Sequence, residues 1–233
     1  MNETGFRIKR PTAGKIKTQA DIVFCIDATG SMDPCIEGVK EGIYTFVEGL
    51  QSAADVDYRL RLIAYRDRHD PSCGTAWHIN DFTNSVEGFL ADLDGIEAEG
   101  GGDASESTLD ALYIAIQSDW RTTRTHKTIV LFTDADTHPH LHPSTYNLPD
   151  NGVNRVIQEF QTLRHVMLFM VLPDYPAYRQ LEQSMNDADR KIVARFVPRN
   201  DERYTGLRAV EWEPLLKMLG QTVSRTSTAV DDD

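Results

Sequence analysis

The sequence predicts a doubly wound α/β domain, with a mostly parallel central sheet, one antiparallel edge strand and helices on both faces. Three observations predict it. Several apolar runs rich in β-branched and aromatic residues, such as residues 22–26 and 166–172, are continuous rather than alternating, as in strands buried on both faces. Segments with a 3.6-residue apolar stripe separate these runs along nearly the whole chain, as expected of helical crossovers between parallel strands. Acidic and hydroxyl residues follow the carboxyl ends of the strands, the edge where open α/β sheets bind ligands.

The 233 residues suffice for one well-buried domain and are few for two. We expect a lead-in segment over 1–20, one domain over 21–225 and an acidic tail over 226–233. Hydrophobic residues at 40% and charged residues at 26% argue against extensive disorder. No apolar run approaches the roughly 20 residues of a membrane span, and the residues from Met1 to Phe6 lack the apolar core of a secretory signal. The expected location is cytoplasmic, with no membrane partner. Three cysteines at irregular spacing, without a Cys-x-x-Cys pair, form neither a disulfide framework nor a structural zinc site. The net charge of −12 argues against general nucleic-acid affinity and favours a bound cation or a cationic partner. Basic Arg7, Lys9, Arg10, Lys15 and Lys17 and acidic Asp231, Asp232 and Asp233 read first as solvated terminal charge, and the basic arm reads second as a contact for an acidic partner.

Taken in order, the lead-in has room for a short strand near residues 6–8, and the first core strand covers about 21–27. Pro34 suits the first turn of a helix, on which Ile36, Val39, Ile43, Phe46, Val47 and Leu50 make one apolar face. Gly38 and Gly42 on that helix imply a close approach to the sheet. Residues 57–65 read as a strand. A turn at 71–74 and a short run at 77–82 complete a hairpin with it. Ser85 is placed to cap a helix carrying Val86, Phe89, Leu90 and Leu93. A glycine triplet, Gly100 to Gly102, precedes a helix with Leu109, Leu112 and Ile116. Strands follow at 128–133, 166–172 and 192–197, and helices at 153–163, 178–185 and 210–223.

The chemistry concentrates at the ends of two buried strands. Asp27, Thr29 and Ser31 follow the first strand at i, i+2 and i+4, and Gly30 permits a tight turn. One carboxylate with two hydroxyls is a set of hard oxygen donors for Mg2+, Mn2+ or Ca2+. Asp and Ser are also ordinary helix N-caps, and these residues alone fit that role equally. Asp134 closes a second buried strand, and Asp103 follows the glycine triplet, where the backbone can approach an ion closely. His138, His140 and His142 alternate in one loop, where Pro139 and Pro143 keep the chain extended. The histidines are read as surface residues, as partner contacts or, less readily, as zinc ligands. Cys35 is placed where a helix dipole favours a thiolate, although a plain free thiol is the simpler reading. Arg66, Asp67, Arg68, His69 and Asp70 read as a solvated hairpin tip or as a polar rim to the site.

Asp27, Thr29 and Ser31 resemble the Asp-x-Ser/Thr-x-Ser signature that opens the metal-ion-dependent adhesion site (MIDAS) of the von Willebrand factor A (vWA) domain family. The Thr133-Asp134-Ala135 ending resembles the family's third motif. The glycine triplet with Asp103, the Tyr65-Arg66-Asp67 ending and the nearby His138 resemble an intracellular branch that includes α-kinase-linked domains. The resemblance covers about residues 20–225 and implies a Rossmann-like fold. It also implies a divalent cation, Mg2+ foremost, held by Asp27, Thr29, Ser31, Asp103 and Asp134. In the family the loop bearing Asp103 supplies a Thr, and Thr108 is the alternative here. A carboxylate in that position holds the ion more tightly and leaves it a weaker electrophile toward a partner's carboxylate.

The expected function is therefore a non-catalytic binding module docking a protein partner within an assembly, such as a kinase, phosphatase or AAA+ ATPase. The alternative is a metal-dependent hydrolase of phosphate esters with His138 or His140 as general base. A third possibility is a structural subunit that no longer depends on metal.

Overall fold

The computed structural model describes residues 18–52, 56–70, 77–101, 104–122, 125–184, 186–199 and 206–229. The lead-in strand near residues 6–8, the basic arm, the turn at 71–74, Asp103 and the final three aspartates lie outside them.

Six strands form the main sheet: β1 (Thr18–Asp27), β2 (Val56–Tyr65), β3 (His78–Ile79), β5 (Thr125–Phe132), β7 (Val166–Pro173) and β8 (Arg190–Val197). Their order is β3-β2-β1-β5-β7-β8, and every pairing is parallel except β2 with β3. The strand order reverses between β1 and β5. β1 continues through the first helix to β2 on one side, whereas β5 continues to β7 on the other. A second, two-stranded sheet pairs β4 (Ser105–Glu106) with β6 (Asp136–Thr137). Two residues carry no periodicity, and the sequence reading contained no such pair.

Six helices cover the main sheet: α1 (Ile36–Ser52), α2 (Val86–Asp94), α3 (Thr108–Ile116), α4 (Val153–Phe160), α5 (Pro176–Ser184) and α6 (Trp212–Ala229). Alternate residues of β1 feed opposite faces. Ile22, Phe24 and Ile26 pack with the inner faces of α1, α2 and α6, whereas Val23 and Cys25 pack with α3, α4 and α5. This two-sided burial is why β1 reads as one unbroken apolar run. Ser85 caps α2 as expected, its hydroxyl accepting from the Gly88 amide at 3.1 Å.

The structure corrects two local readings. α1 starts at Ile36 rather than Pro34, because a 3-10 turn over Gly30–Met32 comes first, with the Cys35 amide donating to the Met32 carbonyl at 2.8 Å. Gly38 and Gly42 admit a helix, not the sheet. A Cβ on Gly42 would sit 2.7 Å from Leu216 Cδ1 and 2.9 Å from Trp212 Cβ, and one on Gly38 would sit 2.9 Å from Trp212 Cδ1. The glycines thus form the seat of α6, whose Trp212 ring meets Phe132 edge-on at 5.1 Å. At the opposite, amino-terminal edge of the sheet, the fully buried Asp21 is held by Arg59 and Arg121.

Candidate metal centre

Asp27 ends β1 and is fully buried. Its Oδ1 accepts from the Thr29 amide at 3.0 Å and from the Thr29 hydroxyl at 2.6 Å, while its Oδ2 accepts from the Thr133 hydroxyl at 2.6 Å. Thr29 Oγ1 lies 3.2 Å from Ser31 Oγ, and Ser31 donates to Asp134 Oδ1 at 2.8 Å. Asp27, Thr29, Ser31 and Asp134 therefore form one connected group. Parallel pairing produces this convergence. Ile26 stands opposite Phe132 in the β1–β5 ladder, so the residues just beyond each strand meet at the switch in strand order.

Two neighbouring loops support the group. The Gly30 amide donates to the Gly100 carbonyl at 2.8 Å, and the Glu99 amide donates to the Ala28 carbonyl at 3.0 Å. Gly101 has a φ of +91°, in the left-handed region that glycine tolerates. Arg66 joins the loops, donating from Nε to the Ala28 carbonyl at 3.2 Å and from Nη2 to the Glu97 carbonyl at 2.9 Å, with an ion pair to Glu99.

Asp67 overturns the reading of residues 66–70 as a solvated tip. It is 1% exposed, accepts from the Ser107 hydroxyl at 3.2 Å and the His69 amide at 2.9 Å, and lies 2.8 Å from His138 Nε2. Arg68 stacks over Trp77 with its guanidinium 3.8 Å from the ring centre. These residues are a rim fastened to the loops around the candidate centre.

Burial, with the Asp134 charge close by, pushes the Asp27 carboxyl up to about 6 despite hydrogen bonds from Thr133 and Thr29. Two carboxylates and two hydroxyls match the oxygen preference of Mg2+, Mn2+ and Ca2+. The residues present thus fit a divalent cation in donor chemistry and in charge.

Asp103 lies outside the described residues. Thr108 is the fully buried first residue of α3, and its hydroxyl lies 3.2 Å from the Tyr65 hydroxyl and accepts from Tyr178 at 3.3 Å. Two of the alternating histidines meet at His69 and the third stands apart. His138 stacks on His69 with ring centres 4.1 Å apart, and His142 meets His69 at 5.0 Å, while His140 is exposed and bridges Gly152 through its backbone. Among the described residues, no three His, Cys, Asp or Glu side chains converge as metal ligands, so these histidines form no zinc site there. Cys35 is buried and donates to the Met32 carbonyl. Burial first, and then the Asp134 and Asp27 charges, push its thiol up to about 12, so it is no dipole-stabilised thiolate.

Reasoning from sequence missed Glu106. It is 3% exposed, and its backbone is set by the β4–β6 pair. A Cβ built on Gly101 would stand 3.2 Å from both Glu106 Oε1 and Thr29 Cβ, which places this carboxylate beside the Asp27 group. The only sequence signal was an acidic residue shortly after the glycine triplet.

A parallel sheet that reverses strand order under a cluster of oxygen donors defines a doubly wound α/β domain with a candidate ligand site at its carboxyl edge. The chain belongs to the von Willebrand factor A domain family, whose model matches residues 21–190. Domains of this family commonly mediate protein–protein interaction and are mostly non-catalytic. The alpha-protein kinase vwkA of Dictyostelium discoideum is 31% identical over 121 residues, covering 51% of this chain and 19% of the kinase. The chain therefore spans less than a fifth of that relative. Among solved structures, the SpRpn10 VWA domain has a TM-score of 0.54 at 11% identity, covering 84% of this chain and 93% of that one. The PilB minor pilin of Streptococcus sanguinis has a TM-score of 0.59 at 12% identity, covering 96% of this chain and 65% of the pilin. At such identities the structures share the fold alone. No helix among the described residues is long and apolar enough to cross a membrane.

Proposed function

We propose that this chain is a cation-dependent docking module that holds a divalent ion, Mg2+ foremost, at the head of β1 and β5 and engages a protein partner there. One observation carries the reading. Ser31 donates to Asp134 at 2.8 Å across 103 positions of sequence, closing the Asp27, Thr29, Ser31 and Asp134 group. These residues would hold the ion directly or through water, together with Asp103, which the sequence resemblance adds. The cation would supply a positive centre to which a partner's oxygen can bind. The surrounding loops, stitched by Arg66 and Asp67, would recognise the rest of the partner. A kinase, phosphatase or AAA+ ATPase within one assembly is the partner class suggested by the family resemblance, and the similarity to a kinase that carries such a segment agrees with it.

The competing phosphoesterase reading would use His138, whose Nε2 lies 2.8 Å from Asp67 Oδ1, as the general base, whereas His140 lies on the surface. Thermal melts in chelator and in Mg2+, Mn2+ or Ca2+ test the docking reading. A ligand that binds only the folded state raises its stability by mass action, by about 2.7 kcal/mol at 100 times its Kd. An ion-specific rise in Tm that Asp27→Ala abolishes is the expected result. Equal melting in every ion and in chelator counts against the reading, and Mn2+-dependent phosphatase activity lost in Asp27→Ala would replace it with the hydrolase.

A further inference from the structure

We propose that the outer edge of β8 is a second docking surface, where an extended acidic segment of a partner protein adds to the main sheet as a further strand. It lies away from the candidate metal centre and does not depend on the cation reading.

The backbone of β8 supplies the template. β8 is the terminal strand of the main sheet, and its parallel pairing with β7 runs from Val166 opposite Arg190 to Pro173 opposite Val197. Its other side is closed only at the start, by the bridge between Asn186 and Lys191 and by the Asp187 amide, which donates to the Arg190 carbonyl at 2.9 Å. At the far end, Gly206 packs so closely on Pro198 and Val197 that a Cβ there would strike both. Between these limits, among the described residues, Ile192 to Val197 pair with β7 alone. Six residues make an open edge of about 20 Å. Unpaired amides and carbonyls along such an edge accept an added strand.

The side chains decide which strand fits. β8 holds three cations and no acid, in a chain of net charge −12. Arg190 is paired with Asp187, and nearby Arg179, stacked on Phe196, with Asp174 and Glu182. Lys191 and Arg195 are exposed, and no acidic side chain among the described residues pairs with either. Because successive side chains of a strand alternate, these two share one face about 13 Å apart, with Val193 midway between them. Val193 is half-buried against the core on the α1 and α6 side. The edge thus presents cation, apolar residue and cation in a row.

This row discriminates between occupants. Two copies of β8 pairing antiparallel about Val193 would set Lys191 of one copy opposite Arg195 of the other, and like charges opposite one another are destabilising. The cations therefore guard the edge against self-association. A strand with Asp or Glu four residues apart and a β-branched residue midway meets the same row favourably. Each acid faces a cation and the branched side chain covers Val193, in either strand direction.

The probe is a backbone-cyclised β-hairpin whose outer strand reads Glu-Thr-Val-Thr-Glu, with a twin carrying Lys for both Glu. Cyclisation lowers the ordering cost of binding. Both are titrated into the full chain by calorimetry, and backbone hydrogen exchange is followed by mass spectrometry. We expect the Glu hairpin to bind with a Kd below about 1 mM and to slow exchange within Ile192 to Val197, and the Lys hairpin to do neither. Lys191→Glu combined with Arg195→Glu should weaken the Glu hairpin about tenfold and admit the Lys hairpin. A Kd above about 1 mM for the Glu hairpin, equal binding of the two hairpins by wild type, or unchanged affinity in the double variant overturns the proposal. Binding without slowed exchange in Ile192 to Val197 is charge attraction alone and overturns it as well. Should the double variant fail to melt cooperatively, the wild-type exchange map and the comparison of the two hairpins decide.

Discussion

His138 Nε2 lies 2.8 Å from Asp67 Oδ1, tying the end of β2 to the loop that leaves β5 across 71 positions of sequence. Ser107 at the start of α3 donates to the same oxygen at 3.2 Å, so one carboxylate joins three segments around the candidate centre. Asp67→Ala leaves this buried hydroxyl and the His69 amide without their acceptor. We expect a loss of about 3 kcal/mol in urea unfolding, since breaking a buried charged hydrogen-bond network is among the costliest single changes. A loss below about 0.5 kcal/mol, the scale of an ordinary surface substitution, would mean that the three segments hold without it.

Acid sensitivity should centre on His126. Burial, reinforced by the nearby His165 and Lys127 charges, pushes its imidazole down to about 4 from the ordinary 6.5. The unfolded chain then binds a proton below 6.5 that the native state refuses until about pH 4. The contribution is fully present above pH 6.5 and is lost as the pH falls from 6.5 toward 4, by up to about 3 kcal/mol. His126→Gln should flatten the stability profile in this window, as read from urea midpoints at pH 7, 6, 5 and 4.5. An unchanged slope would exclude His126 as its source.

The seat between α1 and α6 gives a paired test. Gly42→Ala drives a methyl group into Leu216 and Trp212. Overpacking of this kind typically costs about 1–3 kcal/mol, against a helix-propensity gain of about 1 kcal/mol. The net expectation is a lower Tm. Gly49 lies on the same helix with nothing within 4 Å of its added Cβ, so Gly49→Ala keeps the propensity gain and should raise Tm. Equal shifts in the two variants would rule out a packing role for Gly42.

Cys25 and Cys35 should resist alkylation. Both are buried, and burial pushes both thiols up, that of Cys35 to about 12. Peptide-resolved iodoacetamide labelling at pH 8 should modify both at least about tenfold more slowly in the native protein than in urea, because the thiolate is the reactive species. Rapid native labelling of Cys35 would restore the reactive-thiol reading.

Reading by sequence succeeded where burial was continuous and the chain turned sharply. β1 and β5 were legible because both faces are covered, and the acidic residues at their ends could be placed on one edge from parallel pairing alone. Asp67 was misread because a run of alternating charge is exposed by default, and only His138 and Ser107, brought from distant segments, bury it. Gly38 and Gly42 were recognised as a close-approach pair, but helical periodicity cannot distinguish a sheet beneath from a helix alongside. Glu106 was invisible for a related reason, since two residues of β4 leave no pattern and the gap at Gly101 exists only in three dimensions.

The hydrogen bond from Ser31 to Asp134 also has a kinetic meaning. The two residues are 103 positions apart, so they meet only after α1, β2, β3, α2 and α3 have been looped out and β5 has paired with β1. Such non-local closure is slow, because the entropy of the long loop is lost before any contact compensates it. An ion recognised by both residues has no binding site in a nascent chain that stops short of β5. If the group is completed only after the rate-limiting step, the ion leaves the folding rate nearly unchanged and lengthens the lifetime of the native state by slowing unfolding.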